Sequence, residues 1–213
     1  MFNYLTLQKL CVEMIVDFVF DIASPNTYLA HKIIPDFESR TGAKFNYIPC
    51  LLGGIHKLTN NQPPFIAYAD CKNKTNYQMI EIERFIKLHN IENYKFNSHF
   101  PPNTVQVQRG AIAAQELNIF EQYFECVIKA MWENDKNISD VEVLKNLLSE
   151  SGFDVEAIMS IVTSQACKDK LIENTNNAVE RGSFGVPTFF YDNQIFFGKD
   201  HLYQLEQYIN SQK

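Results

Sequence analysis

No two of the five cysteines, Cys11, Cys50, Cys71, Cys126 and Cys167, stand as a Cys-x-x-Cys pair, and their number is odd. That spacing excludes a dithiol redox motif and argues against a disulfide framework or a cysteine-bound metal site. Free thiols packing as small hydrophobes are the expected state. Basic residues are in deficit, because 19 Lys and Arg face 25 Asp and Glu for a net charge of -6. A sequence-independent grip on nucleic acid needs clustered cations to displace phosphate counterions, so no nucleic-acid partner is expected. A local basic pocket for a small acid is still compatible with that charge. No apolar run approaches the ~18–20 residues that span a bilayer, so no membrane-spanning helix is expected. The first thirteen residues, MFNYLTLQKLCVE, lack the basic start, apolar middle and small-residue cleavage site of a secretion signal. A cytoplasmic location is therefore expected. Low-complexity tracts and internal repeats are missing as well.

With 213 residues, 46% of them hydrophobic and 21% charged, the chain is long enough to bury a core as one domain with an insertion or two small ones. The stretch MIVDFVFDIASPNTYLAHK, Met14 to Lys32, is an apolar run that ends in a small polar turn and passes at once into helical spacing, with Leu29, Ala30, Ile33, Ile34 and Phe37 on one face. Pro35 inside that helix predicts a kink. Gly42 closes the helix, and AKFNYIPC alternates as a second strand. The middle of the chain is helical. Phe120, Tyr123, Phe124, Val127, Ile128 and Met131 share one face between Ile119 and Trp132. Ser139 and Glu142 are spaced as a capping box before a helix that ends at Gly152, Asp154 is placed to cap the next, and Lys168 to Arg181 forms another. PTFFYDNQIFFG then reads as a hairpin turning at Asp192-Asn193, and Asp200 begins a final helix.

The order βαβ, helical block, ββα predicts an α/β chain of thioredoxin fold with a large all-helical insertion, the DsbA type. The expected boundaries are a 1–13 extension, a thioredoxin-like domain from 14–52 and 182–213, and a helical domain over 53–181. In such a fold the turn after the first strand carries the reactive thiols, and here it reads Ser24-Pro25-Asn26-Thr27. Ser24 by itself is a helix N-cap as readily as a reactive-site hydroxyl. Gly185-Val186-Pro187, taken alone, is an ordinary strand start. Beside the opening turn it reads as the cis proline of this fold, which leaves the backbone of Val186 free to pair with a peptide-like ligand.

The segments DFVFDIASPNTYLAHKIIP, LLGGIHKLTNNQPPF, NKTNYQMIEIERFIKLHNI, HFPPNTVQVQRGAIAA and AVERGSFGVPTFFYDNQIFFGKDHL, in that order, resemble the 2-hydroxychromene-2-carboxylate isomerases and the related kappa-class glutathione transferases. The resemblance runs from Met14 to the C-terminal helix. It implies a dimeric, glutathione-binding enzyme, so the thiol missing from the turn would come from the cofactor. Ser24 would hold the glutathione sulfur, Val186 before Pro187 would pair with the cysteinyl unit, Lys199 and Asp200 would hold the γ-glutamyl end, and Asn61 would line the same site. The implied substrate is a small aromatic acid, for which Lys72 and Lys74 are the candidate cations ahead of Arg109, with Lys57, His56 and Asn103 nearby. Solvated loop cations and a helix cap explain Lys72, Lys74 and Asn103 equally well. The expected activity is a glutathione-dependent cis/trans isomerisation of an aromatic 2-oxo acid such as 2-hydroxychromene-2-carboxylate. A kappa-like transferase or peroxidase, and a non-catalytic binding protein, are the alternatives. A dithiol oxidoreductase is disfavoured because Ser24 and Thr27 occupy both redox positions.

Overall fold

A computed structural model of the chain describes residues 13–212. All but Glu13 of the expected 1–13 extension lies outside them. Strand β1 (Ile15–Phe20) leads into helix α1 (Pro25–Thr41), and β2 (Lys44–Pro49) follows. Then come α2 (Leu52–Leu58), α3 (Pro64–Ala67), α4 (Lys72–Leu88), α5 (Val105–Glu116), α6 (Phe120–Trp132), α7 (Val141–Glu150), α8 (Val155–Thr163) and α9 (Gln165–Glu180). The hairpin β3 (Thr188–Tyr191) and β4 (Gln194–Phe197), a 3₁₀ turn over Lys199–His201 and α10 (Leu202–Ser211) complete the chain. The sheet order is β2-β1-β3-β4, with β1 parallel to β2 and antiparallel to β3. This is the expected thioredoxin fold.

Alternation along β1 sends its side chains to two cores. Phe18 and Phe20 join Tyr28 and Leu29 of α1, Phe124 of α6 and Leu205 of α10 on one face. Val19 joins Ile55 of α2, Ala178 of α9 and Phe190 of β3 on the other. Helices therefore cover both faces of the sheet, and the end of β1 that feeds α1 is buried all round. Local signals act as read at several points. Gly42 ends α1 in the left-handed region at φ 71, where its lack of a Cβ is needed, and donates to the Glu38 carbonyl. Asp154 accepts the Ala157 N–H at the start of α8, and the hairpin turns at Asp192, φ 54.

Three details depart from the sequence reading. Asp140, not Ser139, caps α7, because its carboxylate accepts from both Glu142 N and Val143 N, while the Ser139 hydroxyl accepts the Asn103 N–H instead. Helix α9 begins a turn earlier than expected, at Gln165, since Ser164 Oγ accepts the Cys167 N–H. The final α-helix begins at Leu202, with Asp200 lying in the preceding 3₁₀ turn, its carboxylate drawn to Lys199. Helix α1 is continuous past Pro35. Among the described cysteines none is disulfide-bonded; Cys50 and Cys167 are buried.

Candidate active site

The turn between β1 and α1 is held from beneath by a buried carboxylate. Asp21, 2% exposed, accepts the Ala23 N–H on one oxygen at 2.9 Å and the Leu52 N–H on the other at 2.8 Å. Burial pushes its pKa up, against the lowering effect of those two bonds. Two further side chains anchor the same backbone. Gln108 of α5 donates to the carbonyls of Phe20 and Cys50, and the Trp132 indole donates to the Ile22 carbonyl. The reactive-position turn is thus fixed by its own Asp21 together with contacts from α2, α5 and α6.

Ser24 occupies the N-cap position of α1 with extended backbone, yet its side chain makes no capping bond. Its hydroxyl instead donates to the Val186 carbonyl at 3.3 Å across 162 residues. That distance is long beside the ~2.7–2.8 Å usual for hydroxyl donors, so the bond is weak and the hydroxyl can turn to a better acceptor. The Val186–Pro187 bond is cis. Helix α1 has 17 residues and no acidic side chain in its first turn, so the positive end of its dipole is not neutralised locally. The Thr27 hydroxyl, in the second redox position, and Asn26 Oδ1 are buried without a hydrogen-bond partner. Orphaned buried polar atoms at a helix start are costly unless a ligand completes them.

The loop before Pro187 is tied to two more of the anticipated residues. Asn61 Nδ2 donates to the Phe184 carbonyl at 2.8 Å, and Gly198 N donates to the Pro187 carbonyl at 2.8 Å, which sets the Lys199-Asp200 turn directly behind the cis proline. Ser24, Asn61, Val186, Pro187, Lys199 and Asp200 thereby form one continuous run of contacts. Lys199 is buried, paired with Asp200 at 2.8 Å and with Glu81 of α4.

The anticipated substrate residues are not drawn into that run. Lys72 and Lys74 are exposed at the start of α4, where Lys74 lies over the Tyr68 ring. Asn103 is exposed and spends its side chain accepting the Val105 N–H at the start of α5. No hydrogen bond or ion pair of these three reaches the Ser24 turn among the described residues. His56 is buried and its pKa is lowered by burial, whereas Lys57 beside it is exposed. Arg109 buries its Nε without a partner. Sequence reasoning missed Asp21 and Glu81. The acid that closes the apolar run VDFVFD was a legible sign of the first; nothing local marks Glu81, which lies 118 residues from its partner.

The sequence profile of the DSBA-like thioredoxin domain family matches residues 15–210. A 2-hydroxychromene-2-carboxylate isomerase of Pseudomonas putida is 30% identical over 202 residues, covering 91% of this chain and 93% of that protein. Glutathione S-transferase kappa 1 of Rattus norvegicus is 24% identical over 93% of this chain and 92% of its own. A solved structure of a 2-hydroxychromene-2-carboxylate isomerase superposes with a TM-score of 0.79 at 28% identity, covering 93% of this chain and 95% of the other.

Proposed function

The chain belongs to the DSBA-like thioredoxin domain family, among its 2-hydroxychromene-2-carboxylate isomerases, and from that membership we propose that it is a glutathione-dependent isomerase of a small aromatic 2-oxo acid. The observation that carries the reading is the Ser24 hydroxyl, which stands at the start of α1, bonded across the sheet to Val186 beside the cis proline, where a thiol redox protein would place its cysteine. A site that keeps this geometry without a thiol fits a ligand that brings one. The donor set agrees: one weakly engaged hydroxyl, an unneutralised helix start and an orphaned Thr27 hydroxyl.

When bound, glutathione supplies a thiolate that adds reversibly to a double bond conjugated with the substrate's oxo acid, allowing rotation before elimination. The chain's own part is to make that thiolate available and to orient it. Free thiols ionise near pH ~8.5, so at neutrality only a few per cent are anionic. Ser24 Oγ–H transfers its hydrogen bond from the Val186 carbonyl to the sulfur, and the α1 dipole adds to the preference for the anion. Asn61 holds the Phe184 carbonyl, and so the loop that presents the Val186 backbone. Asp21, Gln108 and Trp132 keep the turn rigid, so little reorganisation is needed at the reacting centre. The resemblance also supports a homodimer, and no helix among the described residues is long and apolar enough to cross a membrane.

A glutathione-dependent activity panel tests the proposal. Chromene-acid isomerisation that requires added glutathione supports it. Isomerisation without glutathione contradicts the cofactor half. Conjugation of chlorodinitrobenzene or reduction of peroxide, without isomerisation, moves the chain to the transferase reading supported by the kappa relatives.

A further inference from the structure

Asn26 is the second residue of α1, two positions beyond Ser24, and neither its side chain nor its N–H makes a hydrogen bond among the described residues. Pro25 has no N–H, so that of Asn26 is the first in the helix. The geometry of an N-cap puts the N–H of this position or the next within reach of the serine hydroxyl, which sets Asn26 beside Ser24. The residue is half-buried and its side-chain amide is divided, with Oδ1 buried and Nδ2 open to solvent. An acceptor buried without a donor is unfavourable, so something must hold the amide this way round. The positive end of α1 does so, drawing the negative end of the amide dipole toward the helix and turning the two donors of Nδ2 outward. Other polar side chains around the turn are committed. Asp21 accepts two backbone N–H groups, Thr27 is fully buried, Asn61 holds the Phe184 carbonyl and Lys199 is paired with two carboxylates. With Ser24 assigned to the sulfur, Asn26 is the side chain among the described residues of the turn that still has a free donor.

We infer that Asn26 is a further catalytic residue, its Nδ2 donating to the 2-oxo oxygen of the substrate as negative charge develops there. The inference rests on the glutathione-dependent reading above. In that reaction the carbon–sulfur bond forms as the electron pair of the conjugated double bond moves to the oxo oxygen, and it breaks as the pair returns. No proton or co-reactant is consumed. The charge passes from the sulfur to an oxygen a few atoms away, so a site with donors for the sulfur alone would favour the thiolate and oppose its addition. A second donor where the charge arrives offsets that bias. A neutral amide suits the task, because it binds the charged oxygen more strongly than the ketone oxygen that precedes and follows it.

Asn26→Leu removes the donor at nearly constant volume, together with the orphaned oxygen, and is expected to fold as wild type does. With glutathione present, isomerisation of 2-hydroxychromene-2-carboxylate is expected to lose about a hundred- to a thousandfold in kcat with KM little changed. The pH midpoint of the bound thiol is expected to stay at its wild-type value. A readout independent of turnover is the infrared carbonyl stretch of 4-(2-hydroxyphenyl)-2-oxobutanoate, a substrate analogue with no double bond to attack, bound to the glutathione-loaded chain. Its oxo stretch is expected below that of the free ligand in wild type and back toward it in Asn26→Leu. Asn26→Asp keeps the shape and, as an acid in the first turn, supports the helix. Assayed above the thiol's midpoint, it is expected to lose at least as much kcat, since a carboxylate repels the charged oxygen. Near-wild-type turnover in either folded variant, or an unshifted carbonyl in wild type, overturns the assignment and leaves the glutathione reading standing. So does a raised thiol midpoint in Asn26→Leu, which would place the amide at the sulfur. A wild-type chain that isomerises nothing with glutathione overturns both.

Discussion

Asp21 shows how much one buried side chain does for the Ser24 turn. Both of its oxygens accept backbone N–H groups, from Ala23 in the turn and from Leu52 in the next connection, and burial still pushes its pKa up. The sign of the linked stability follows. Between the ordinary carboxyl value near ~3.9 and the higher folded value, the native chain binds more protons than the unfolded one, so this group's contribution falls as pH rises through that window. Wild type is accordingly expected to gain stability relative to Asp21→Asn as pH falls from neutrality through the raised pKa, measured as the difference in urea unfolding free energies. A difference independent of pH would show that Asp21 is not desolvated as described. Asp21→Ala leaves both N–H groups unpaired and is expected to cost about 1–3 kcal/mol for each at neutral pH.

At the scale of elements, two contacts with α6 fix the helices over the sheet. Gly110 of α5 faces Tyr123 of α6, whose buried hydroxyl donates to the Val107 carbonyl, and a Cβ at position 110 would collide with that hydroxyl. Gly110→Ala is expected to destabilise by about 1–3 kcal/mol through overpacking, despite alanine's better helix propensity, and thermal unfolding checks it. The second contact is ionic. Glu125 meets His31 at 2.9 Å, Lys129 at 2.8 Å and Lys32 at 3.6 Å, joining α1 to α6. The His31 bond holds its pKa well below the usual range against the upward push of burial, and the Lys129 bond adds to the lowering. A depressed carboxylate stabilises above the unfolded value near ~4.3 and loses that contribution as pH falls below it. Glu125→Gln is expected to remove part of the acid-induced loss of stability below that pH. The effect is small because Glu125 is 38% exposed and therefore screened. An unchanged acid limb would mean the ion pairs contribute nothing.

Across the whole molecule, what was legible in the sequence is what local chemistry decides. The order of strands and helices, the Gly42 stop and the Asp192 turn depend on residues within a few positions of one another, and they appear as read. The contact of Ser24 with Val186 was legible only through the fold, which brings two distant turns together. Where neighbouring groups compete for one N–H, local reading chose wrongly, as with Ser139 and Asp140. Lys72, Lys74 and Asn103 were named for their charge and polarity, yet solvent or a nearby backbone N–H satisfies them. The Lys199–Glu81 pair has no sequence signature, since it depends on how α4 lies against a turn far along the chain. The site that results has a thiol protein's architecture and a serine where the thiol belongs. Thiolate absorbance near the ultraviolet edge, titrated against pH with glutathione bound to wild type and to Ser24→Ala, reads directly whether that turn holds a borrowed thiolate. The expected midpoint in wild type lies below the ~8.5 of a free thiol, and in the folded variant, which keeps most of its glutathione affinity, about one to two pH units above the wild-type value, the loss of one hydrogen bond to a charged group. Equal midpoints in the two proteins would contradict a catalytic role for Ser24.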